Sequence, residues 1–112
     1  MNTILLQKTF GLYCQLSQQI AHFPKLERYS LGLKIDNTCL LLLEAIITAE
    51  QTTPVLKDKA LLEASIKTEL LKIFLRLAIE QKLIKETNYF SWSAIILEIG
   101  KMIGGWKKSL RL

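Results

Sequence analysis

His22 is the one histidine of the 112-residue chain, and with Cys14 and Cys39 it makes up the whole supply of imidazole and thiol groups. A zinc site needs such ligands in closely spaced pairs and four in all, so these three positions supply neither the pairs nor the fourth partner. A di-metal carboxylate centre of the kind held in helical bundles needs two Glu-x-x-His pairs, and Gln19 stands where the glutamate before His22 would be. No metal is expected. A nucleophile, base and orienter triad would have to use His22, and no serine or cysteine sits at a glycine-flanked elbow. Gly104-Gly105-Trp106-Lys107-Lys108-Ser109 has the residue types of a phosphate loop, but it lacks the four-residue gap, the glycine directly before lysine and a preceding strand. Asp58, Glu63, Glu69 and Glu80 are interleaved with Lys59, Lys67, Lys72, Arg76 and Lys82 at helical spacing, the pattern of a solvated, ion-paired face. The expectation is therefore no catalytic residue, no cofactor and no enzyme; His22 reads as a helix-end residue. The chain is expected to work by binding.

The chemistry that remains is positive charge. A formal net charge of +5 raises the odds of an anionic partner, with nucleic acid leading on charge alone. Lys72 and Arg76 lie one helical turn apart, with Glu69 and Glu80 continuing the stripe; a solvated face and a binding site both fit. Lys25, Arg28 and Lys34 open the second helix with only Glu27 and Asp36 nearby, where surface solubility and an anion-binding patch stand as alternatives. After Glu98 the charged residues are all basic: Lys101, Lys107, Lys108 and Arg111. This cluster is the strongest local electrostatic signal, although basic residues also suit a helix C-terminus by its dipole.

The elements that must position these groups are helices. Apolar residues recur at three-and-four spacing in four segments, roughly 3–22, 25–51, 54–83 and 86–110, with no strand-like alternation and no flexible linker. Thr3 is a candidate N-cap for the first, Pro24 ends it and suits the first turn of the second, and Thr52-Thr53-Pro54 offers a cap and an N1 proline for the third. The expected buried faces are Leu6, Tyr13, Leu16, Ile20 and Phe23 on the first helix. The second has two, Tyr29, Leu33, Leu40, Leu43 and Ile47, and Ile35, Leu42, Ala45 and Ala49, with Asp36 falling on the former. The third has Leu62, Ile66, Leu70, Ile73 and Leu77 as its core stripe, widened by Leu71, Phe74, Leu75, Ala78 and Ile79. The fourth has Tyr89, Trp92, Ile96, Ile99, Ile103, Trp106 and Leu110 at clean heptad spacing. Short connections make neighbours antiparallel, so the fold class is all-α: an up-down-up-down four-helix bundle forming a single domain over 1–112.

The longest apolar run, 38–49, contains Glu44 and falls short of the ~20 residues a bilayer span requires. No membrane association and no export signal are expected, so the chain is placed in the cytoplasm with both cysteines reduced. Gly32, Gly100, Gly104 and Gly105 interrupt strongly periodic helices at a cost of ~1 kcal/mol each against alanine, which close packing or a subunit contact would justify. Together with the wide apolar faces and the two tryptophans, Trp92 and Trp106, they point to a homo-oligomer, with Trp106 read as a packing or subunit contact.

Three blocks carry a family likeness: Phe23-Pro24-Lys25-Leu26-Glu27-Arg28-Tyr29-Ser30-Leu31-Gly32, then Leu70-Leu71-Lys72-Ile73-Phe74-Leu75-Arg76-Leu77-Ala78, then Glu98-Ile99-Gly100-Lys101-Met102-Ile103-Gly104-Gly105-Trp106. In order and spacing they resemble the accessory variability determinant proteins of diversity-generating retroelements. The resemblance implies a four-helix bundle in a barrel-shaped homopentamer, a noncatalytic partner that binds the element's reverse transcriptase and template RNA during mutagenic cDNA synthesis. Within the matching blocks it points to Lys25, Arg28, Lys72, Arg76 and Lys101 as binding positions; Lys107 and Lys108 join them on electrostatic grounds. The small four-helix proteins encoded by intervening sequences in bacterial 23S ribosomal RNA genes share the pattern and stand as the alternative, beside an oligomeric scaffold with general nucleic-acid affinity.

Overall fold

The computed structural model describes residues 3–110, apart from the side chain of Thr3; the Thr3 cap and the contribution of Arg111 lie outside the described residues. The elements in chain order are α1 (Thr3–Ile20), a single-turn α2 (Lys25–Arg28), α3 (Leu31–Glu50), α4 (Pro54–Glu80) and α5 (Glu86–Ser109). The described residues contain no strand. The four long helices form a closed ring in which α1 packs on α3, α3 on α4, α4 on α5 and α5 back on α1. Cross-links fix the directions. On the α1–α5 seam Lys8 pairs with Glu98 at 2.6 Å while Gln15 meets Trp92 at 2.8 Å. On the α4–α5 seam Asp58 pairs with Lys107 at 2.8 Å while Thr68 packs beside Gly100. Rising numbers on one helix meet falling numbers on the next, so the bundle is antiparallel, up-down-up-down and 44 Å long.

The core corrects the expected stripes. On α3 the face of Ile35, Leu42, Ala45 and Ala49 is buried together with Leu31, Cys39 and Ile46, but Tyr29, Leu33, Leu40 and Ile47 are exposed and Leu43 is half-buried. On α4 the buried set is Ala60, Leu61, Ala64, Thr68, Leu71, Leu75 and Ala78; Leu62, Ile66, Ile73 and Leu77 are exposed and Leu70 is half-buried. The cause is the shape of the α3–α4 seam, the most extensive in the bundle. Ala45 and Ala49 on one side and Ala60 and Ala64 on the other let the helices approach closely, so small residues share the core with Leu42, Ile46, Leu61, Leu71 and Leu75 while a second set of aliphatics faces out. Leu71 is wholly buried, which favours folding by roughly 1.5–3 kcal/mol. On α1, Leu5, Leu12, Leu16 and the following Phe23 are buried, with Leu6, Tyr13 and Ile20 half-buried against them; on α5, Trp92, Ile96, Ile99 and Ile103 are buried, with Tyr89, Trp106 and Leu110 packed against them. Buried Thr9 and Thr68 each satisfy their hydroxyl by donating to the carbonyl one turn back, on Leu5 and Ala64, both at 2.8 Å.

The helix expected over 25–51 is broken at Tyr29–Ser30. The Ser30 N–H turns to the Glu27 carbonyl, and its hydroxyl takes the Leu26 carbonyl at 2.8 Å that a continuing helix would have given to the backbone. This break separates α2 from α3 and seats Gly32 where a Cβ would stand 2.8 Å from Ile20 Cγ2 and 3.2 Å from the Glu27 carbonyl oxygen. α4 also ends early. Leu83 N–H bonds to the Ala78 carbonyl and Lys82 N–H to that of Ile79, a Schellman motif whose left-handed position is Lys82, φ 61°. Thr53 precedes Pro54 in extended geometry, as an N1 proline requires, and its side chain makes no capping bond. Among the described residues no helix is long and apolar enough to cross a membrane.

Candidate nucleic-acid interface

The basic positions fall toward two ends of the bundle, except Lys72, which lies one turn inward of Arg76 on α4. Lys25 and Arg28 belong to α2, and Arg76 lies four residues before the end of α4, so these three share the end where α1 hands over to α3. Lys107 and Lys108 finish α5 at the opposite end, with Lys101 two turns inward. Asp58 is level with Lys107, so at 1.5 Å per residue Arg76 and Lys107 stand about 25 Å apart along the axis. One small ligand cannot touch both; a long polyanion can.

Several of these charges are engaged within the chain. Lys72 pairs with Glu69 at 2.8 Å, Arg76 with Glu80 at 3.4 Å and Lys107 with Asp58 at 2.8 Å. The first two pairs are within one helix and exposed, each contributing a few tenths of a kcal/mol and easily exchanged for a phosphate. Arg28 donates from Nη2 to the Phe23 carbonyl at 3.2 Å, tying α2 to the end of α1, and its Nε is buried without an acceptor. Lys25, Lys101 and Lys108 are exposed, and among the described residues none of them is in an ion pair. The field of Lys101 reaches Glu98, whose carboxyl is held below its ordinary value chiefly by its hydrogen bond and charge contact with Lys8. Of the glycines, Gly32 is packed within its own chain, a Cβ on Gly100 would stand in ordinary contact with Thr68 Cγ2 at 3.6 Å, and Gly104 has nothing within 4 Å of where a Cβ would stand. Trp106 is half-buried with Lys57 Nζ 6.0 Å above its ring.

Three features emerge that the charge pattern does not announce. The first is an outward stripe on α4, Val55, Leu62, Ile66, Ile73 and Leu77, about half a turn from the core residues and spaced seven, four, seven, four. Val55 is 70% and Ile73 55% exposed. The second is an apolar groove of about 350 Å³ between α1 and α3, lined by Leu6, Gln7, Phe10, Leu43 and Ile47, with Leu33 and Leu40 continuing its line. The third is an open groove of about 310 Å³ on the α1–α5 side, lined by Gln15, Gln18, Gln19, His22, Asn88 and Trp92. Its signal in the sequence is the Gln15, Gln18, Gln19, His22 run at helical spacing.

Asp36, expected on a buried stripe, is half-buried and faces α1. Hydrogen bonding to it is the main cause that raises the Tyr13 phenol above its ordinary value. Burial, reinforced by the Asp36 charge, pushes the Cys39 thiol up to about 12, which leaves it protonated and unreactive at neutral pH. Both cysteines are free thiols. Among the described residues no cluster of histidine, cysteine, aspartate and glutamate could hold a metal ion.

The family described as bAvd-like matches residues 3–110. No curated protein and no solved structure matches the chain. The family match begins at the first residue of α1 and runs past the end of α5, so it takes in every helix and both basic ends: the chain belongs to the bAvd-like family.

Proposed function

We propose that this protein is the noncatalytic accessory subunit of a diversity-generating retroelement, binding the reverse transcriptase and the template RNA as a homopentamer to support mutagenic cDNA synthesis. The observation that carries this reading is the bAvd-like family match over all four long helices. Two physical features support it. Five copies would combine five charges of +5 on one assembly, turning a modest subunit excess into a strong attraction for RNA. The α4 stripe and the α1–α3 groove are two different apolar surfaces, one on the outer face of α4 and the other between α1 and α3. Association of one with the other is head-to-tail, the geometry from which rings close, whereas a two-fold dimer would pair one surface with itself.

The test is binding of a structured RNA across a salt series. Affinity should fall steeply and linearly on a double-logarithmic plot, and replacing Lys101 and Lys108 with glutamate should weaken binding while helicity is kept. Affinity indifferent to salt would remove phosphate contact from the account.

A further inference from the structure

The groove between α1 and α5 is built of neutral donors and acceptors, and two of its amides are held in a known orientation. The Trp92 indole N–H can only donate, so its 2.8 Å partner on Gln15 is the carbonyl oxygen, which leaves the NH₂ of this groove-lining residue without a partner among the described residues. The Leu83 carbonyl can only accept, so its partner on Gln19 is the NH₂ at 3.4 Å, which leaves the oxygen of this second lining residue without a partner among the described residues. One turn apart on α1, the protein thus holds an unpaired amide donor and an unpaired amide acceptor on two residues that line the groove. Gln18, His22 and Asn88 add further polar groups around them that make no hydrogen bond among the described residues. Gln19 rests on the turn after α4, where Lys82 precedes Leu83 and Lys85 stands three residues before Asn88 of the groove; both lysines are exposed and neither is in an ion pair among the described residues.

We infer that this groove takes an unpaired nucleobase of bound RNA, with the flanking phosphates against Lys82 and Lys85. A base edge is a row of adjacent donors and acceptors that amide side chains match, and RNA is read by sequence mainly where its bases are unpaired. A floor without formal charge and a positive rim divide the nucleotide as its own chemistry is divided. The inference rests on the RNA-binding reading above and adds a place where bases, not only phosphates, are engaged.

The test compares labelled single-stranded oligoadenylate and oligouridylate with an RNA duplex of equal length, on the full chain and on a Gln18→Ala, His22→Ala variant. Both substituted residues are exposed and outside the Trp92 and Leu83 bonds, so the fold is kept. The variant should bind one or both single strands roughly tenfold more weakly, the loss of one or two hydrogen bonds, with duplex affinity unchanged. Lys85→Ala should weaken single strand and lower its salt slope by about one. Equal single-strand affinity in variant and parent overturns the inference, as does an equal loss for single strand and duplex. If the parent chain binds duplex but no single strand, this site alone fails; if it binds neither, the RNA-binding reading fails with it.

Discussion

The indole N–H of Trp92 lies 2.8 Å from Oε1 of Gln15, a bond that crosses the α1–α5 seam and joins a buried ring to an exposed amide. It is the partner that a buried indole requires. Gln15→Leu would leave that donor unsatisfied and should lower unfolding free energy by about 1–3 kcal/mol, while Gln15→Glu, which keeps an acceptor, should lose less. Urea denaturation followed by tryptophan fluorescence measures both, and equal losses would mean that the bond contributes nothing.

Backbone geometry gives a pair of opposite expectations. Lys82 holds a left-handed conformation at the Schellman position, which costs a side-chain-bearing residue about 1 kcal/mol, so Lys82→Gly should stabilise by about that amount. Gly32→Ala should destabilise, because the new methyl meets Ile20 at 2.8 Å and the Glu27 carbonyl, which cannot move away, at 3.2 Å. Thermal unfolding at matched protein concentration checks the two signs.

The two apolar stripes of α4 should separate by experiment. Ile66→Asp, on the exposed face, should shift the assembly toward smaller species in sedimentation velocity with helicity retained. Leu71→Ala, on the buried face, should cost about 2–5 kcal/mol of stability. A parent chain that sediments as a monomer at micromolar concentration would contradict self-assembly outright.

The thiols differ in the same way. Cys39 should resist a thiol reagent until the chain unfolds, while the half-buried Cys14 reacts in the native state. Cys39 is raised from 9.0 to about 12, so between those values the folded chain keeps a proton that the unfolded chain has released. Stability is therefore at its full level below pH 9 and falls as pH climbs toward 12, with Tyr13 acting in the same direction from its ordinary value of 10.0. Cys39→Ala should flatten that alkaline slope.

The helices and most of their limits could be read from the sequence because apolar spacing and Pro24 and Pro54 act locally. Which face of α3 and α4 is buried could not, because Leu62 and Ile73 score higher in hydropathy than Ala60 and Ala64, and only the facing helix decides that small residues belong inside. The break at Ser30 was hidden for a similar reason: a serine hydroxyl replacing a backbone bond leaves no mark on periodicity. Basic residues could be found by type, but not that Lys107 reaches Asp58 forty-nine positions away or that Arg28 is spent on the Phe23 carbonyl. The amide groove joins α1 to α5, and its two halves are too far apart in the chain to suggest each other.

The central claim concerns partners, and co-purification tests it most directly. Tagged protein, expressed with a diversity-generating reverse transcriptase and its template RNA from the same element, is isolated at moderate salt and its bound protein and RNA identified. The account predicts that both are retained, and that the RNA is lost as salt is raised. Recovery of the chain with neither polymerase nor template RNA, under conditions where both are present and intact, would contradict it.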